Sequence, residues 1–171
     1  LFEARLSWDE SKPAPLLDPA LPTAVLFVGK HRGLGIHALL WVLRLFPGHY
    51  RNFVFLSVGE VDAQSYDGQG ALRTLQYTIE NSLRYYVHYC WSHGLAAEYY
   101  MTFGTEPMEE FIKLADRVFE KYPNSVCFAS QLIFKRVNFL TRWLHNRTPL
   151  GLQERLHLEG RQMVLLPMKV A

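Results

Sequence analysis

Residues 28–37 read "VGKHRGLGIH" and set three glycines, Gly29, Gly33 and Gly35, between an apolar run and a helical pattern. Glycines at such a turn let the backbone approach a phosphate closely, and the free N–H groups of the helix that follows donate to it. Lys30, His31 and Arg32 add positive charge beside the turn, and Lys135 and Arg136 add it beside a later loop. The spacing is not that of a Walker loop. His31 follows Lys30 where Ser or Thr would hold magnesium, and Ala24 stands five residues before Gly29 where a glycine is needed. Ser57, Ser130 and Gln131 are the polar residues expected near the same edge, which makes the candidate anion- or nucleotide-binding set Gly29, Lys30, His31, Arg32, Gly33, Gly35, Ser57, Ser130 and Gln131. Ser57, Ser130 and His31 would meet there without an acidic residue to orient the histidine, so no complete hydrolytic triad is read. Glu60 and Asp62 leave the second strand, placed to meet a ribose hydroxyl or to cap a helix.

Metal chemistry finds no support in the spacing. His88, Cys90 and His93 cluster at one helix end, but at about 100° per residue His88 and Cys90 point about 200° apart. The expectation is no metal and no catalytic residue.

The elements that must position these residues alternate. Apolar runs at 23–28, 52–58, 96–103, 125–130 and 162–168 read as strands. Helical patterns lie between them. The first carries Ile36, Leu39, Leu40, Leu43 and Phe46 and stops at Pro47–Gly48. The second carries Leu72, Leu75, Ile79, Leu83, Tyr86 and Cys90, with Gly94 as its C′ residue. The third has Thr105 as N-cap, Pro107 in its first turn and an apolar face of Met108, Phe111, Ile112, Ala115, Val118 and Phe119. A fourth spans most of 137–159. Strands apolar throughout that alternate with helices imply an α/β, three-layer, doubly wound parallel sheet of five strands. Right-handed crossovers give the order 3-2-1-4-5, with its switch point over the carboxyl ends of strands 1 and 4.

Composition bounds the function. The 171 residues suit one domain, and a net charge of +2 gives no field for nucleic acid. Residues 1–22 hold the Pro-rich "SKPAPLLDPALP" and read as a linker before a domain at 23–171. Two cysteines cannot frame a disulfide scaffold, which indicates a reducing compartment. No run reaches the ~20 apolar residues of a membrane span, and the acidic, broken start is not a signal peptide. The aromatic stretch "RYYVHYCW" at 84–91 has more rings than one core face needs, and the surplus would cover a homodimer or membrane-domain contact. "WLHNRTPL" at 143–150 is a second such candidate.

In its glycine spacing the turn resembles the cofactor loop of short-chain dehydrogenases. That family also uses a Tyr-x-x-x-Lys pair. Trp8, Leu26, Glu109, Arg117, Gln131 and Leu165 stand four residues before the six lysines, so the pair is missing. Residues 23–170 resemble a universal stress protein domain more fully, from "AVLFVGKHRGLGIHALLWVLRL" through "SHGLAAEYYMTFGTEPMEEFIKLADRV" and "SVCFAS" to "GRQMVLLPMKV". ATP-binding members of that family carry Asp after strand 1, where Gly29 stands here. Their G-x2-G-x9-G-[S/T] loop after strand 4 is replaced by Ala129, Leu132, Arg142 and Trp143. The resemblance therefore implies the fold and a lost ATP site, with another nucleotide or anion as the residual cofactor. The wording "LFVGKHRGLGIHALLWVLRLFPGHYRNFVFLSVGEVD" and "FGTEPMEEF…NSVCFASQLIF" is similar to the C-terminal domain of bacterial amino acid permeases of the amino acid–polyamine–organocation superfamily. That likeness implies a non-catalytic regulatory domain on the cytoplasmic face of the inner membrane, with a transporter's membrane domain as its partner.

Overall fold

A computed structural model describes residues 11–29, 32–61, 68–130, 153–154, 156–157 and 160–166. The chain runs β1 (Thr23–Phe27), α1 (Arg32–Leu45), β2 (Asn52–Glu60), α2 (Gly68–Ser92), β3 (Ala96–Gly104), α3 (Pro107–Lys121), β4 (Ser125–Ser130) and β5 (Gln162–Leu166). Helical residues 153–154 and 156–157 precede β5. The remainder of the fourth expected helix lies outside the described residues. The five strands form one parallel sheet in the order β3-β2-β1-β4-β5, the order the alternation predicts.

Every residue of β1 is buried, as its unbroken apolar sequence requires. Alternation along the strands divides the core in two. Val25, Phe27, Val54, Leu56, Cys127, Ala129 and Met163 meet α3 and Leu156 on one face. Ala24, Leu26, Val28, Phe53, Phe55, Phe128 and Leu166 meet α1 and α2 on the other.

The helix ends follow local chemistry. Gly94, at φ 70°, closes α2: its N–H donates to the Trp91 carbonyl (2.9 Å), while Leu95 N–H donates to that of Cys90 (2.9 Å). This is the paired C-terminal pattern for which a glycine at C′ is suited. Gly160 repeats it before β5, with Arg161 N–H on the Leu156 carbonyl and Gly160 N–H on that of His157. At α3 the sequence reading needs correction. Glu106, not Thr105, is the N-cap, and it makes no side-chain cap. Pro107 takes the first helical position, where its missing N–H costs nothing, and Glu109 and Glu110 face the positive helix end.

The lead-in is tied to the domain. Asn52, buried at the start of β2, donates through Nδ2 to the Asp18 carbonyl (2.6 Å) and Thr23 Oγ1 (2.9 Å), and its Oδ1 accepts from Asp18 N–H (3.1 Å). Leu17 packs against the α3-side core.

Helix α1 departs from the expected phase. Of the expected face, Leu39 is buried and Ile36 and Leu43 pack against the core, but Leu40 and Phe46 are exposed, and Gly35, Ala38 and Val42 are buried in their place. Gly35 sets this phase. A Cβ there would lie 2.2 Å from the Tyr86 hydroxyl, and that hydroxyl donates to the Arg32 carbonyl (3.2 Å). The Tyr86 ring also stacks on Phe55, so it cannot withdraw without opening the core. Gly35→Ala is expected to cost about 1–3 kcal/mol through overpacking. Gly33→Ala, with nothing within 4 Å of its Cβ, is expected to be neutral or stabilising by up to about 1 kcal/mol. Chemical denaturation of the two variants checks the contrast.

Candidate functional site

The carboxyl edge of the sheet brings the ends of β1 and β4 together, because Phe27 pairs with Leu56 on one side and Ala129 on the other. Val28 N–H extends the ladder by donating to the Leu56 carbonyl (2.9 Å). Continuing the register by one residue sets Ser57 and Ser130 on either side of Val28, all three on the α1 and α2 face. The two serines are thus two strand spacings apart, about 10 Å, too far to act on one proton. Both are buried. Ser130 is engaged in an interaction of its own. Among the described residues Ser57 Oγ has no hydrogen-bond partner, and a buried hydroxyl in that state costs about 1–3 kcal/mol.

The glycines of the turn have separate roles. None of Gly29, Gly33 and Gly35 has the left-handed φ found at Gly48, Gly94 and Gly160. The passage from sheet to helix therefore does not require glycine for its backbone angles. Gly35 is required by Tyr86. Gly29 and Gly33 have open space where a Cβ would stand. Arg32 is exposed, with its guanidinium over the Tyr85 ring at 5.4 Å. Of the expected set, Gly29, Arg32, Gly33, Gly35, Ser57 and Ser130 belong to this edge. Lys30, His31 and Gln131 lie outside the described residues, as do Asp62, Lys135, Arg136, Arg142 and Trp143.

The two thiols are shielded, and the described histidines of α2 are engaged locally. Burial pushes the Cys127 thiol up to about 12 and raises that of Cys90 further still. Both stay protonated and non-nucleophilic at neutral pH. His88 stacks on Trp91 (5.4 Å), whereas the His93 Nδ1 lies 2.8 Å from the Tyr89 carbonyl. Among the described residues no three His, Cys, Asp or Glu side chains converge as a metal site.

One polar cluster escaped the sequence reading. Glu98, on edge strand β3, accepts from the Tyr122 hydroxyl (2.6 Å), the Tyr100 hydroxyl (2.7 Å) and Lys121 Nζ (3.0 Å), all at Oε1. Lys121 Nζ also donates to Tyr100 Oη (2.9 Å). Partial burial pushes the Glu98 carboxyl up. The hydroxyls of Tyr122 and Tyr100 and the Lys121 charge outweigh it, so the net value lies below the usual carboxylate range. A charge held on an edge strand also discourages pairing with a further strand. Glu98 and Tyr100 share one face of β3 by the strand period, but nothing in the spacing signals that Lys121 and Tyr122 join them.

An open hollow of about 470 Å³ lies at the opposite, amino-terminal edge, lined by Phe119, Asn124, Ser125, Arg161 and Gln162 among others. Arg161 there pairs with Asp116 and covers the Phe119 ring. Its charge is thereby committed, and parallel sheets of this kind bind ligands at the other edge.

Comparison of the chain with protein-family models, with curated proteins and with solved structures returns no match.

Two outcomes follow for the site residues. Because the folded Glu98 carboxyl is held below its unfolded value, its contribution is present above the unfolded value and lost as pH falls through the folded one. Glu98→Gln is expected to cost about 1–2 kcal/mol at neutral pH, and the gap from the parent chain should close on acidification. Urea titrations across the carboxylate range measure it. Ser57→Ala removes an unpaired buried hydroxyl, so it is expected to raise unfolding free energy by about 1 kcal/mol in ligand-free protein. A loss of that size in calorimetry would mean that Ser57 has a partner.

Proposed function

We propose that the chain is a non-catalytic accessory domain of a membrane amino acid transporter, acting through assembly or regulation at the cytoplasmic face. The observation that carries this reading is the fate of the glycine turn. Its last glycine is committed to Tyr86, and the hydroxyl of that ring holds the first helical carbonyl, at Arg32. One of the three glycines that most suggested cofactor chemistry thus has a packing role. The likeness of "LFVGKHRGLGIHALLWVLRLFPGHYRNFVFLSVGEVD" to permease domains supplies the transporter. None of the helices described is long and apolar enough to cross a membrane, so on this reading the spans belong to the parent chain.

A second reading, a sensor for an anion or a nucleotide other than ATP, is favoured by Ser57. Its orphaned Oγ lies at the edge where Gly29 and Gly33 leave the backbone uncovered and Arg32 supplies charge. A ligand bridging these groups would satisfy the hydroxyl.

The reading frame that contains residues 1–171 tests the first proposal. Several apolar spans of about 20 residues in that frame would support it, and a frame without them would overturn it. Thermal shift tests the second. Binding at a hundredfold excess over Kd stabilises the native state by about 2.7 kcal/mol, so phosphate, AMP, cyclic nucleotides or NAD at millimolar concentration should raise Tm by several degrees if the edge is a sensor. No rise with any of them would leave the accessory reading alone.

A further inference from the structure

Helix α1 is apolar on two sides, and the protein buries one of them. Gly35, Ala38, Leu39 and Val42 face the sheet. The opposite stripe runs His37, Leu40, Trp41, Arg44 and Leu45, whereas Phe46, just past the helix end, turns toward Tyr50 and Phe128. Leu40 is 41% exposed, Trp41 38%, Leu45 49% and Phe46 38%. The Phe46 ring meets the buried Phe128 (5.9 Å), so it belongs to the edge of the core and not to the outer stripe. The outer face thus sets exposed Leu and Trp beside exposed cations, an amphipathic surface and not an ordinary solvated one.

The charges select the cover. Residues 23–59 contain no Asp or Glu, but they hold Lys30, Arg32, Arg44 and Arg51 with His31, His37 and His49. Arg44 lies within the stripe, and Arg51 is exposed just beyond it. A second copy placed on this stripe by a two-fold axis would set cations against cations with no carboxylate of α1 to meet them. An anionic surface meets them with opposite charge. Trp and Leu beside arginine is also the chemistry of a helix lying in a membrane interface, with the ring at headgroup depth and the cations on the phosphates.

We propose that the outer stripe of α1 docks the domain on an anionic lipid bilayer, with Leu40, Trp41 and Leu45 entering the interface and Arg44 and Arg51 contacting phosphates. The docking is a property of this surface and does not require the transporter reading.

Co-sedimentation of the full chain with vesicles of phosphatidylcholine, alone or mixed with phosphatidylglycerol, tests it. Binding should rise about tenfold or more with the anionic lipid and fall with salt, since each interfacial cation is worth about fivefold. Trp41→Ala with Leu45→Ala should lower it about tenfold, and Arg44→Gln about fivefold. Tyr77→Ser, which alters an exposed ring on α2, should leave it unchanged. All these side chains are exposed, and circular dichroism confirms that the variants remain folded. Absent binding to anionic vesicles, or binding indifferent to lipid charge, would overturn the proposal. So would self-association, or retention of an acidic protein, that the Trp41 and Leu45 variants abolish while vesicle binding stays at background.

Discussion

The structure depends on the complete burial of β1. "TAVLF" has no polar face to offer solvent, so the strand must be hydrogen-bonded on both edges and covered on both sides. Placing β2 and β4 against it satisfies the edges, and α1 and α3 on opposite faces satisfy the sides. Once that strand is central, the chain must leave it in one direction toward β2 and later return on its other side to form β4. The divergence of the two crossovers is therefore a consequence of hydrophobic burial and exists whether or not a ligand uses it.

Upon that frame, α1 answers two demands that conflict. It must approach the sheet and α2 closely enough for Tyr86 to stack on Phe55 and reach the Arg32 carbonyl, which only glycine at position 35 permits. Ile36, Leu39 and Leu43 still pack in the core or against it, but the other large apolar residues do not. Leu40, Trp41 and Leu45 are left outside because the helix is turned to present its smallest side to Tyr86. A glycine set by packing and a hydrophobic stripe set free for contact are thus two results of one constraint.

This explains what was legible beforehand. Strand number, strand order and the α3 core face could be read because continuous apolar strands and a strongly one-sided helix each admit one arrangement. The phase of α1 could not, since apolar residues at 39, 40, 43 and 46 satisfy helical spacing while the contact that chooses among them comes from Tyr86 on another element. Glu98 was passed over for a similar reason: its donors arrive from β3 and the end of α3. The shift of the α3 cap from Thr105 to Glu106 is a one-residue displacement at a helix start, where Pro107 fixes the first helical position and the residue before it falls outside. Ser57 was legible as a candidate by its place on β2, yet its unpaired state belongs to the packing around it.

The claim on which this account turns is that Gly35, at the end of the glycine turn, serves packing between α1 and Tyr86 and that the turn grips no phosphate. Amide spectra of the isotope-labelled chain, recorded as magnesium ATP is titrated in, address it most directly. The account predicts that the resonances of Gly29, Gly33 and Gly35 remain where they are in ligand-free protein. Saturable displacement of those three resonances, together with that of Ser57, would contradict it and make the turn a phosphate cradle.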